Sequence, residues 1–194
     1  MSRRITRPEI LMKLIALSSF FVSAACSTDP VSYSAPVGIN LKAKSGDVSG
    51  TAISEDKSVT TETSNPYGSF VSAATTEIGR APGRIEVDHA TLLLGAQSIN
   101  VAGLEDVFTG AVDISFVMND TNNTYQVGTL ANPSGVGPID LDVSLAGADV
   151  APQDFTKYLS GSFKVVARGT AAAGFTSKGA EAALQLTFTF AAFE

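Results

Sequence analysis

The chain has 194 residues, with 13 basic and 19 acidic side chains, one histidine, one cysteine and no tryptophan. One cysteine excludes an intramolecular disulfide, and a formal charge of −6 argues against nucleic acid or an anionic lipid surface as a direct partner. One histidine and one cysteine do not supply the ligands of an ordinary zinc site, so no metal or other cofactor is expected.

Residues 1–25 have the three parts of a secretory signal. Arg3, Arg4, Arg7 and Lys13 make a basic start, residues 14–22 form an apolar run broken only by two serines, and Ser23, Ala24 and Ala25 make a small-residue cleavage site. The run is shorter than the roughly 20 residues that a membrane-crossing helix needs, so cleavage is expected. Cys26 follows directly. This leader resembles the lipobox signal of bacterial lipoproteins, departing from the common pattern in Ser23, where leucine is most usual. The resemblance implies that Cys26 is lipidated by acyl chains such as palmitate, becomes the mature N-terminus and anchors the protein to the bacterial cell envelope. Ser27, in place of an aspartate after the cysteine, implies the outer membrane. The alternative is a secreted or periplasmic protein cut after Ala25, with Cys26 left as a free thiol.

Each buried CH₂ of an acyl chain contributes about 0.8 kcal/mol, and two or more chains make anchoring stable. Without residues 1–25 the chain has 169 residues, nine of them basic and eighteen acidic, a formal charge of −9. The anchor, and not the surface charge, is then what holds the protein to a membrane. That length suits one domain whose core needs no covalent staple.

Residues 27–36 hold two prolines among small polar residues and read as a tether, so the domain is expected to span 37–194. Val37, Ile39, Leu41 and Ala43 alternate with small or polar residues and predict a half-buried strand. Weaker strands are expected around 47–54 and 57–63. Asn65 and Pro66 form an N-cap and first-turn signal. Phe70, Ala74 and Ile78 then recur four apart and Gly79 follows, which predicts one helix over 66–78.

Residues 84–94 read as a strand whose apolar phase shifts between Val87 and Leu92, which predicts a bulge near 89–91. Phe108, Val112, Ile114, Phe116 and Met118 share one face, and the polar run 119–123 turns the chain back into 124–130 as a hairpin. Ile139, Leu141, Val143 and Leu145 predict another strand. Residues 152–159 suggest one helical turn, with Phe155 and Leu159 four apart. Phe163, Val165 and Ala167 begin a further strand, and Leu184, Leu186, Phe188 and Phe190 alternate with polar residues in the last one. Sheets of this kind, each with one dry face, predict an all-β fold built as a two-layer antiparallel β-sandwich with one short helix.

No catalytic constellation stands out. His89 is the one residue a histidine-dependent triad could use, with Asp88 or Glu86 to orient it, and no G-x-S-x-G elbow supplies a serine. Glu86 and Asp88, and likewise Asp140 and Asp142, stand two apart. On a continuous strand each pair would share a face about 7 Å apart, which makes these four acids the weak ligand candidates for calcium or glycoside chemistry. The 119–123 turn carries oxygen ligands without the spaced acids of a calcium loop. Tyr33, Tyr67, Tyr125 and Tyr158 are the only tyrosines with which to build a sugar platform.

The expected function is that of a lipid-anchored envelope sandwich with a structural or binding role. Its partners are a membrane, through the anchor, and a protein or glycan left open. A carbohydrate- or calcium-binding module at the cell surface is the alternative, and a hydrolase with an unrecognised carboxylate site is the second alternative.

Overall fold

The computed structural model describes residues 31–62 and 65–194. The leader and Cys26 lie outside the described residues. Nine strands, β1 (Ser32–Lys44), β2 (Ala52–Val59), β3 (Arg84–Leu94), β4 (Phe108–Met118), β5 (Thr124–Ala131), β6 (Ile139–Asp140), β7 (Asp142–Val143), β8 (Phe163–Ala171) and β9 (Glu181–Phe193), form two antiparallel sheets. The first runs β1-β9-β3-β6 and the second β2-β8-β4-β5-β7. Among the described residues two helices, α1 (Pro66–Ile78) and α2 (Pro152–Leu159), complete the fold, the second over the residues read as a helical turn. The architecture is the expected all-β sandwich.

The core follows from alternation. Leu184, Leu186, Phe188 and Phe190 of β9 are buried between β1 and β3, and Val112, Ile114, Phe116 and Met118 of β4 meet them from the second sheet. Phe116 lies 4.9 Å from Phe163 and 5.5 Å from Phe188, ring centre to ring centre. At about 25 cal/mol per Å² of apolar area, each such side chain contributes roughly 1.5–3 kcal/mol.

α1 begins where Asn65 Oδ1 accepts the Tyr67 amide at 3.0 Å and ends where Gly79 takes a left-handed φ of 79° and donates to the Thr75 carbonyl. Phe70, Ala74 and Ile78 face inward as expected, joined by Tyr67. Tyr67 packs edge-on against Phe163 at 5.2 Å and Phe190 at 5.1 Å, so α1 closes one end of the aromatic core.

Several boundaries differ from the sequence reading. β1 starts at Ser32 and carries Pro36 within it, five residues inside the expected tether. An edge strand tolerates a residue without an N–H, and among the described strands β1 pairs with β9 alone. The two weak strands at 47–54 and 57–63 are one strand, β2, preceded by a 3₁₀ turn at Ser45–Asp47. In β3 the register slips between Val87 and His89, slightly earlier than expected, and this puts Ala90, Leu92 and Leu94 back on the buried face.

The largest departure is at 139–145. The chain does not run along one sheet there but crosses between them, β6 pairing with β3 and β7 with β5. Leu141 is buried at the crossing and its N–H donates to the Ala90 carbonyl at 2.9 Å. This crossing joins the two sheets along one side of the sandwich. On the opposite side β1 and β2 lie next to each other with no ladder between them.

Candidate functional site

The crossing at Leu141 separates the acids that sequence spacing places together. Asp140 lies opposite Thr91 in the first sheet, whereas Asp142 lies opposite Thr129 in the second. The expected shared face of Asp140 and Asp142 is therefore absent, because each joins the ladder of a different sheet. Glu86 and Asp88 sit on β3, but the bulge displaces Asp88 from the ladder, and Glu86 lies 3.5 Å from the Arg84 guanidinium. His89 is held by neither Asp88 nor Glu86. Its Nε2 lies 3.0 Å from Asp140 Oδ1, with side-chain exposures of 52% and 78%. So open a pair lacks the water-excluded setting that makes a histidine–carboxylate contact useful for general base work.

The tyrosines do not make a platform. Tyr67 and Tyr158 are fully buried, and Tyr33 packs on Phe70 at 5.9 Å. Tyr125 points toward a buried acid that the sequence reading missed, Asp154, in the first turn of α2. Asp154 has no exposed surface and accepts hydrogen bonds from Asn123 Nδ2 at 2.7 Å, the Tyr125 hydroxyl at 2.8 Å and Thr121 Oγ1 at 2.9 Å. These bonds, that from Asn123 foremost, hold its carboxyl below the usual aspartate range. The polar run 119–123 thus spends two of its side chains on α2 and not on a cation. The sole sequence signal for Asp154 was an acid in a first helical turn behind Pro152, which is too common to single it out.

The other group missed is in β2. Ile53 and Val59 are its buried residues, and Glu55 and Lys57 share their parity on the strand. A half-buried Glu55 and an exposed Lys57 therefore take the parity of the buried residues on an edge strand, beside the side of the sandwich where β1 and β2 share no ladder. A cleft of about 730 Å³ opens there. Its walls include Asn40 and Lys42 of β1, Glu55 and Lys57 of β2, Gln97 after β3 and Gln185 of β9. A smaller recess of about 200 Å³ continues along the same two strands and shares Asn40 and Lys57 with it.

The electrostatics of the cleft are nearly balanced. Lys42 pairs with Glu181, and Asp56 lies 3.3 Å from Lys164. Glu55 is pushed up to about 7, first by burial, then by the negative charge of Asp47 and a hydrogen bond with it, so it is substantially protonated near neutrality. Lys57 makes no ion pair among the described residues. Unlike Asn100, Asn119 and Asn123, whose side-chain amides donate to protein groups, the amides of Asn40, Gln97 and Gln185 bond to no protein group among the described residues.

Among the described residues no cluster of three or more histidine, cysteine or acidic side chains could hold a metal ion, and no helix is long and apolar enough to cross a membrane. Comparison of the chain with known protein families and with curated proteins finds no match.

Proposed function

We propose that this protein is a lipid-anchored sandwich domain of the bacterial cell envelope, acylated at Cys26 and held at the outer membrane, with a structural or binding role and no catalysis. One observation carries the reading: a basic start, a short apolar run and small residues stand directly before the chain's single cysteine. A second fits with it. Ser32, where β1 begins, follows Cys26 by six positions, a reach of about 20 Å at most when extended. An anchor at Cys26 would therefore hold the domain close to the bilayer surface, and a body of formal charge −9 would not adsorb to anionic lipid unaided.

The test is intact-mass measurement of the protein purified from its own host, alongside a Cys26→Ala variant. The reading expects a mass increase of two or three acyl chains on a chain starting at residue 26, and release of the variant from the membrane fraction. An unmodified thiol at residue 26, or wild-type protein in the soluble fraction, overturns it.

A further inference from the structure

We infer that the cleft between β1 and β2 is a binding site for a polyhydroxylated ligand, a short oligosaccharide, held by the side-chain amides of Asn40, Gln97 and Gln185 with Lys57 at its rim. This deepens the binding half of the reading above and does not depend on the anchor.

The first support is a broken rule. Core-facing positions of a strand are apolar when only stability is at stake, yet β2 places Glu55 and Lys57 between Ile53 and Val59. Departures of this kind concentrate where function overrides packing. A cleft opens beside them, its other wall made by exposed polar side chains of β1 and β9.

The chemistry of the walls selects the ligand class. No aromatic side chain among the described residues lines the cleft, so a base or other flat ring finds none of them to stack on. The two leucines at its wall, Leu41 and Leu184, are 5% and 2% exposed and belong to the core, so no large aliphatic side chain stands open to a lipid or greasy ligand. Charge is nearly neutralised, with Lys42 against Glu181, Asp56 against Lys164 and Glu55 substantially protonated near neutrality, so a phosphate or a divalent ion finds no concentrated field. What remains is three amides, each both donor and acceptor, a carboxyl and an ammonium. A sugar hydroxyl is likewise both donor and acceptor, and neighbouring hydroxyls match a planar amide pairwise. The volume of about 730 Å³ lies within the range of small-molecule sites.

Two other readings compete. Inward charges also guard edge strands against pairing with a second chain, and the free edge of β1 could instead accept an extended peptide. The experiment is a titration of the isotope-labelled protein with three trisaccharides, chitotriose, cellotriose and maltotriose, at millimolar concentration, and with an extended Thr-Val repeat peptide. The side-chain NH₂ resonances of Asn40, Gln97 and Gln185 are followed together with the β1 backbone amides. At least one trisaccharide is expected to shift all three side-chain pairs. Gln185→Ala is expected to weaken that binding by at least about tenfold with an unchanged melting temperature. The proposal is overturned if no trisaccharide moves these resonances. It is also overturned if Gln185→Ala and Gln97→Ala titrate like the wild type, or if the peptide alone produces shifts and they lie on the β1 backbone. None of these outcomes bears on acylation of Cys26, which the mass measurement reads separately.

Discussion

Glu55 and the two buried tyrosines show how a single side chain's surroundings decide the sign of its contribution. Glu55 titrates at about 7 in the folded protein against 4.5 for an ordinary glutamate. Between those values the native state holds a proton that the unfolded chain has released, so each rise in pH favours unfolding. Stability is expected to fall from pH 4.5 to about 7 and then level off. Glu55→Gln should remove that fall and leave the variant more stable than wild type above about pH 7, as thermal melts across a pH series will show.

Tyr67 and Tyr158 are both fully buried, and their hydroxyls differ. The Tyr67 hydroxyl donates to the Tyr158 carbonyl at 2.9 Å, whereas the Tyr158 hydroxyl has no partner among the described residues. Removing the first should cost about 1 kcal/mol and leave the Tyr158 carbonyl with backbone donors such as the Gly161 N–H alone, while Tyr158→Phe should be neutral or stabilising by about 1 kcal/mol. Urea denaturation of the two single variants checks this. A loss of stability in Tyr158→Phe as large as in Tyr67→Phe would contradict it.

Among the elements, α1 shows where helix propensity and packing oppose each other. An isolated helix gains up to about 1 kcal/mol when glycine becomes alanine. Gly68, in the first turn of α1, has no room for the change, because a Cβ there would lie 2.7 Å from the Thr61 carbonyl oxygen. Gly68→Ala is therefore expected to lower stability by about 1–3 kcal/mol, the cost of overpacking against backbone that cannot swing aside. A rise in melting temperature would show that the Thr61 backbone yields.

α2 depends on a different device. It is short, and Asp154 ties it to the β4–β5 turn through Thr121, Asn123 and Tyr125. The carboxyl is held below its ordinary 3.8, so its contribution is present above that value and lost as pH falls through the folded value. Asp154→Asn should lower the melting temperature by several degrees at neutral pH, because an amide donor would face hydrogen-bond donors. The gap from wild type should narrow in acid. An equal gap at all pH values would mean that charge plays no part.

At the scale of the whole molecule, stability rests on the contact between the sheets. Phe190 is buried among Tyr67, Phe70, Phe116 and Phe188, and Phe190→Ala is expected to cost about 3–5 kcal/mol. The exposed Lys164–Asp56 pair should be worth less than about 1 kcal/mol. Chemical denaturation of Phe190→Ala and Lys164→Ala compares the two directly. The open side of the sandwich, between β1 and β2, is where the proposed sugar site belongs, since the crossing at Leu141 joins the sheets on the other side.

Much of this was legible in the chain itself. Alternation of apolar and polar residues determined β1, β4, β8 and β9 and the dry face of each, because side chains on a strand point to opposite sides in turn whatever the strand packs against. Asn65, Pro66 and Gly79 determined the ends of α1 because caps are local. Tertiary structure decided the rest. A two-residue period cannot tell one long strand from two short ones on facing sheets, so the step from Asp140 to Asp142 was hidden, and with it the separation of the candidate acids. Nor can it register that Glu55 and Lys57 stand at an open edge or that Asp154 lies under a turn some 30 residues before it in the chain. Those facts depend on contacts between distant segments, and local pattern carries no information about which segments meet.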